Sequence, residues 1–382
     1  MKLEDVCKVF TDGDWIESKD QSDNGIRLIQ TGNIGEGVYL EKSERAKYVS
    51  QDTFAALKCT EIYSGDVLVS RLPEPVGRAC IIPPKSERMI TAVDCTICRP
   101  NEEIVLKEYL CYFMQSDVYY NRLLNNVTGT TRKRISRKNL GNVEINVPNI
   151  DKQRAIIAKL DIISNIIDER KRELEQLDVL IKARFAEMFG DGNYPVVKLG
   201  EACKKITDGT HKTPNYLDEG ITFISAKNIV NGELDFSDVK YISEEEYLVI
   251  QKRCQTEKSD ILLSKSGSLG FPVIVKTDEK LGLFESLAVL KYEKDRFIPE
   301  FLCEQLKTDM VQRQFTSGTK GVAIKHLHLG VIANTDIIVP PVEEQKEFAY
   351  FVHQVDKSKV AVHKALDETQ TLFDSLMQEY FG

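Results

Sequence analysis

The sequence predicts an α+β protein with an internal pseudo-twofold repeat, in which two like globular domains are separated and joined by two long antiparallel coiled-coil helices. Three observations predict it. One sequence frame occurs twice, over residues 2–190 and 198–382. Each copy begins with short β-like runs punctuated by Gly and Pro, as mixed domains do. Each copy ends in a tail whose apolar residues recur at heptad spacing. The expected division is a globular domain at 1–150, a helix at 151–190, a linker at 191–197, a second globular domain at 198–340 and a second helix at 341–382.

The two copies keep their landmarks in the same order. Leu3 to Gly13, with Cys7 and the ending Thr11-Asp12-Gly13, is answered by Leu199 to Gly209, with Cys203 and Thr207-Asp208-Gly209. Asn33-Ile34 and Gly37 are answered by Asn228-Ile229 and Gly232. Asp66-Val67-Leu68 with Ser70-Arg71 is answered by Asp260-Ile261-Leu262 with Ser264-Lys265. Val147-Pro148 and Gln153 correspond to Val339-Pro340 and Gln345, and Met188-Phe189-Gly190 to Tyr380-Phe381-Gly382. Such a period is far longer than the 20–50 residues of a solenoid repeat, so each copy is a domain.

Within each copy, one helix is expected near residues 107–124 and 299–315. A final strand is expected at Val143 to Val147 and Thr335 to Val339, stopped by Pro148 and Pro340. The first tail has no Gly or Pro from Asp151 to Phe189. Its seams are Leu160, Ile167, Leu174, Ile181, Met188 and Ile156, Ile163, Arg170, Leu177, Arg184. The second tail repeats the pattern with Phe348, Val355, Val362, Thr369, Leu376 and Val352, Lys359, Leu366, Phe373, Tyr380. A helix buried in the core of its own domain is the competing reading, but the seams run outside the globular frame. Connectivity makes the pair antiparallel: the second helix starts at the second domain and runs back toward Met1. A tail of some 40 residues makes a rod of roughly 60 Å.

Composition excludes several classes of function. With 42% hydrophobic and 29% charged residues the chain is ordinary for a globular protein. It has neither a run long enough to span a bilayer nor a signal-peptide layout, so a cytoplasmic location is expected. The nine cysteines lack framework spacing and are expected as reduced thiols. There is no phosphate loop, no methyltransferase-type Asp/Asn-Pro-Pro-aromatic run and no metal-ligand spacing among the five histidines. His326 and His328 would share one face of a strand. No nucleophile–base set is visible, and neither a catalytic residue nor a bound cofactor is expected.

The net charge of −8 hides local basic patches. Between Asp117 and Glu144 there is no acid, and Arg122, Arg132, Lys133, Arg134, Arg137 and Lys138 fall there. The matching window between Asp309 and Asp336 is also free of acids and holds Arg313, Lys320, Lys325, His326 and His328. Three features read as nucleic-acid-binding surfaces. The first is the loop Thr207 to Pro214, where Gly209 supplies a turn and Thr210, His211 and Lys212 offer donors. The second is Ser264-Lys265-Ser266-Gly267-Ser268-Leu269-Gly270, whose counterpart from Ser70-Arg71 to Arg78 has prolines in place of the glycines. The third is the basic loop Thr128 to Lys138, answered by Ser317 to Lys325. An ordinary turn or a solvated charged face is the plain alternative for each. Frame residues match between copies, but Arg132-Lys133-Arg134 stands opposite Gly321-Val322-Ala323. Because base-edge contacts specify and phosphate contacts position, the two domains should read two different short sequences.

These motifs, in this order and twice over, resemble the specificity (S) subunit of a type I restriction–modification enzyme. The residues that carry the resemblance are Asp208-Gly209-Thr210-His211 with Phe223-Ile224 and Asn228-Ile229, then Asp260 to Ser264 before Gly267. Gly318-Thr319 ahead of Pro340-Pro341 and the glutamine-led helix from Gln345 complete it. The first copy departs from the pattern at Asp14-Trp15, which replaces Thr210-His211. The resemblance implies two target-recognition domains in a non-catalytic reader of double-stranded DNA with a bipartite, asymmetric target. It also implies two modification subunits that methylate adenine with S-adenosylmethionine, and restriction subunits that use ATP and Mg²⁺. Alternatives left open by the residues are a reader for a different or fused restriction–methylation enzyme, a stand-alone DNA-modifying enzyme and a DNA-mimicking inhibitor.

Overall fold

A computed structural model describes residues 1–124, 133–230, 232–267, 269–316 and 326–382. The chain divides into two compact units, Met1–Lys171 with Lys364–Gly382, and Arg172–His363. Each unit therefore holds one globular domain and parts of both long helices.

In the first unit an antiparallel sheet runs in the order Cys7–Asp12, Cys95–Pro100, Val67–Ser70, Ala79–Ile81. The second unit repeats it as Cys203–Asp208, Leu287–Tyr292, Ile261–Ser264, Pro272–Ile274. Even the irregularity is repeated, with the register slipping between Cys7 and Val9 and between Cys203 and Lys205. The inner strands Val67–Ser70 and Ile261–Ser264 are buried at every position, which is why they read as continuous apolar runs rather than alternating ones. A second sheet in each unit pairs one strand in parallel with a strand near its end, Ile26–Ile29 with Met89–Thr91 and Ile221–Ile224 with Leu281–Leu283.

The helix expected at 107–124 is two helices, Lys107–Phe113 and Asp117–Leu124, and that at 299–315 is Pro299–Lys307 and Asp309–Thr316. The breaks fall where Ser116 Oγ and Thr308 Oγ1 donate to the Phe113 and Gln305 carbonyls, local bonds that compete with the helical ladder. The expected last strand forms in the second unit, where Asp336–Ile338 pairs with Val196–Lys198. In the first unit the same stretch makes one bridge, Lys2 to Glu144.

The tails are single helices, Ile150–Phe189 and Val342–Phe381. They pack antiparallel within each unit. In the first, Lys159 Nζ lies 3.2 Å from Tyr380 Oη, and Phe381 packs on Tyr109 and Phe113. In the second, Asp178 pairs with Lys359 at 2.6 Å and Arg184 with Glu347 at 2.9 Å. These pairs show how the seam tolerates its cations: Lys359 and Arg184 send their heads out to acids on the facing helix. Each helix is tied to its domain by one buried glutamine. Gln153 donates to the Ile104 and Pro148 carbonyls and accepts from Leu106 N–H. Gln345 does the same with the Arg296 and Pro340 carbonyls and Ile298 N–H, at 2.9–3.0 Å. All nine cysteines are free. Among the described residues no helix is long and apolar enough to cross a membrane, and no cluster of His, Cys, Asp and Glu could hold a metal.

Candidate nucleic-acid interface

The loop after the first strand and the cation after Ser70 or Ser264 meet at one end of the antiparallel sheet, around the aspartate that closes its first strand. Of the third feature, residues 128–132 and 317–325 lie outside the described residues. In the second unit this is Asp208, buried beneath its neighbours. Its carboxylate accepts from Lys265 Nζ and from Arg253 Nη2, and His211 Nε2 lies 3.3 Å away. Burial works against the charge of Asp208, but Lys265 and then Arg253 outweigh it and hold the carboxyl below its ordinary range. His211 Nδ1 is also 3.6 Å from Glu285. The Lys265 carbonyl accepts from Leu327 N–H at 2.7 Å, which ties Leu327 to the same centre.

The first unit builds the same centre on Asp12. Arg71 Nη2 is 3.3 Å from its carboxylate, Arg137 is 3.9 Å away, and Thr96 Oγ1 donates to it at 3.0 Å. The Arg71 carbonyl accepts from Ile135 N–H at 3.3 Å, so the exit of the basic loop is pinned to the equivalent point. Arg134 pairs with Asp94 at 2.8 Å beside it.

The glycines after these aspartates serve a purpose that the sequence reading missed. A Cβ on Gly13 would overlap the Thr91 carbonyl oxygen, and one on Gly209 the Leu283 carbonyl oxygen. They are required by close backbone approach to the second sheet, not by a tight turn. The contact carries the chain into parallel bridges, Asp14 with Ala92 and Thr210 with Phe284. The residues that follow, Trp15 and His211, thus leave equivalent, pinned backbones.

The predicted contact residues fall into three groups. Arg71 and Lys265 were expected to face DNA, and the structure instead buries them. An unpaired buried carboxylate is costly, so Lys265 offsets the charge of buried Asp208, while Arg71 pairs with partly exposed Asp12. The backbone carbonyls of the two cations hold Leu327 and Ile135. Lys133, Arg134, Arg137, Lys138, His211 and Lys212 are exposed, while Thr210 and Ser266 are half-buried. Thr210 Oγ1 accepts from Lys212 N–H at 3.1 Å, which tightens the loop. Arg132, Lys320 and Lys325 lie outside the described residues, as do Gly318-Thr319 and the contrasted Gly321-Val322-Ala323. His326 and His328 flank buried Leu327 and are both exposed, and the His328 backbone is extended. Arg253 and Glu285 were not foreseen. Neither has a counterpart that the repeat makes visible, and only long-range folding brings them to Asp208.

The class that this arrangement defines is a two-domain protein with one candidate binding face per unit, built on a shared buried frame with unlike exposed side chains. Comparison with known proteins gives the family. The model of the type I restriction modification DNA specificity domain matches twice, over residues 1–178 and 192–369, and the chain belongs to that family. It is 25% identical over 298 residues to the type I restriction enzyme EcoBI specificity subunit of Escherichia coli, covering 69% of this chain and 63% of that one. It is 23% identical over 407 residues to the putative type I restriction enzyme MjaX specificity subunit of Methanocaldococcus jannaschii, covering 97% and 91%. The chain thus spans slightly less than two thirds of the EcoBI subunit, and 65% of the MjaVIII specificity subunit of M. jannaschii. In fold it is similar to the crystal structure of the type I S subunit from M. genitalium, with TM-score 0.52, 14% identity, and 100% and 95% of the two chains covered. A chain solved in work on assembly and conformational transition of the type I R-M system gives TM-score 0.56 at 20% identity, with 100% and 96% covered.

Proposed function

We propose that this chain is the non-catalytic, sequence-specific DNA-binding subunit of a type I restriction–modification system. Each unit reads one half of a bipartite, asymmetric target in double-stranded DNA. The observation that carries the reading is the repeated aspartate centre: the same frame in both units, with exposed Arg137 beside one copy and exposed His211 and Arg253 beside the other. A shared frame fixes how a groove is approached, while unlike side chains change what is read there.

The chain directs partner subunits, which carry the chemistry. Two modification subunits methylate adenine with S-adenosylmethionine, and restriction subunits add cleavage that depends on ATP and Mg²⁺. The assembly works in the cytoplasm. Membership of the DNA specificity family supports this division of labour. The test is reconstitution. The purified chain is incubated with DNA, S-adenosylmethionine and Mg²⁺, with and without its modification subunit. Methyl transfer at a defined split site is expected only when both are present. Turnover by the chain alone would overturn the proposal, and so would a failure of the mixture to bind any DNA.

A further inference from the structure

We infer that Trp15 is a specificity-determining residue of the first unit, reading a thymine methyl group by apolar contact. The inference rests on the DNA-reading function proposed above.

Trp15 is the single tryptophan of the chain and is 68% exposed, where an indole without a partner surface leaves apolar area in water. Its backbone is held in place. Gly13 N–H donates to the Cys95 carbonyl and Asp14 N–H to the Thr91 carbonyl, both at 2.9 Å, and the Asp14 carboxylate accepts from Thr60 N–H at 2.8 Å. The second unit holds Gly209 and Thr210 through the Leu287 and Leu283 carbonyls, so His211 occupies the matching position. Trp15 follows Asp12, whose centre carries the exposed cation Arg137, and Lys133 and Lys138 are exposed beside Arg137 in sequence. A phosphate backbone drawn to those cations would bring a groove to this loop.

The chemistry of the contact follows from what the indole has left to offer. Trp15 Nε1 already donates to Glu17 Oε1 at 3.3 Å, and Glu17 in turn pairs with Lys19 at 2.8 Å. With its one donor engaged, the side chain presents an apolar ring. In the major groove the apolar feature of a base edge is the C5-methyl of thymine. His211 has no such apolar face free of polar partners, so the two units would differ in kind at one shared position.

The experiment uses the full chain with its modification subunit and equilibrium titration of duplexes carrying the target. Deoxyuridine replaces each thymine of the first half-site in turn, which removes only the methyl group. At one position the substitution should weaken wild-type binding about fourfold, the worth of one buried methyl. The same substitution should leave Trp15→Ala unchanged, and Trp15→Phe should keep most of the wild-type response. Trp15 emission should be quenched by the target and not by a duplex with the first half-site scrambled. Equal sensitivity of wild type and Trp15→Ala at every thymine would overturn the inference. So would a first half-site without thymine, or an emission change on adding the modification subunit without DNA. If wild type discriminated no sequence at all, the DNA-reading function itself would fall instead. Far-UV circular dichroism checks that the variants fold.

Discussion

Replacing Asp208 by Asn removes the charge that neutralises Lys265 and leaves a buried ammonium. The side chains of Lys265 and Asp208 are 9% and 3% exposed, so little water is available to compensate. Breaking a buried pair from one side costs about 3–5 kcal/mol. Lys265 retains the Glu285 carbonyl at 3.1 Å, which places the expected loss near the lower end, about 3 kcal/mol. The matching Asp12→Asn should cost less, about 1–2 kcal/mol, because Asp12 is 24% exposed and Arg71 keeps the Val93 and Ile135 carbonyls. Urea unfolding can separate the two effects. Trp15 emission reports the first unit alone, whereas circular dichroism reports both. With a slope of about 3 kcal/mol per molar urea, Asp208→Asn should lower a transition that is silent in Trp15 emission by about 1 M. Asp12→Asn should move the Trp15-reported transition by about 0.3–0.7 M. The double variant Asp208→Asn with Lys265→Met should recover most of the loss, since no charge is then stranded. A shift below about 0.2 M for Asp208→Asn, or no recovery in the double variant, would refute the reasoning.

Other outcomes follow from the same structure. The Asp208 carboxyl is held below its unfolded value, so its contribution is present above about pH 4 and is lost as pH falls through the lower folded value. The deficit of Asp208→Asn relative to wild type should therefore shrink in urea titrations run at progressively lower pH below about 4. Gln345→Leu strands the Arg296 and Pro340 carbonyls and Ile298 N–H, at a cost of about 2–4 kcal/mol. Hydrogen exchange at the Ile298 amide should accelerate, and unchanged exchange would show that the glutamine does not tie the helix to its domain. Neutralising Lys133 or Lys138 should weaken DNA binding across all sequences and reduce the salt slope by about one unit per lost phosphate contact. A loss confined to one target sequence would make those residues base readers instead.

Much of the fold is legible in the sequence because it rests on local periodicity. The heptad seams predict both 40-residue helices, connectivity predicts their antiparallel packing, and the order of landmarks predicts the repeated globular domain. The misses come from interactions that join distant residues. Arg71 and Lys265 look like surface cations because their burial depends on aspartates some 60 residues away in sequence. Gly209 looks like a turn glycine because the carbonyl that excludes a side chain there belongs to another sheet. The breaks at Ser116 and Thr308 come from a single hydroxyl in an otherwise apolar pattern, which periodicity does not weigh. Arg253 is invisible as a partner of Asp208 because only the fold returns the end of its helix to the sheet.

The central claim is that each unit reads its own half of one split target. Its most direct test is to map methylated adenines in the DNA of cells that carry the chain with its modification subunit. The map is then repeated with His211, Lys212 and Arg253 substituted together. Wild type should yield a bipartite, asymmetric motif, and the substitutions should alter or relax one half while leaving the other half and the spacer unchanged. A motif without two separated halves, or substitutions that change both halves together, would contradict the account.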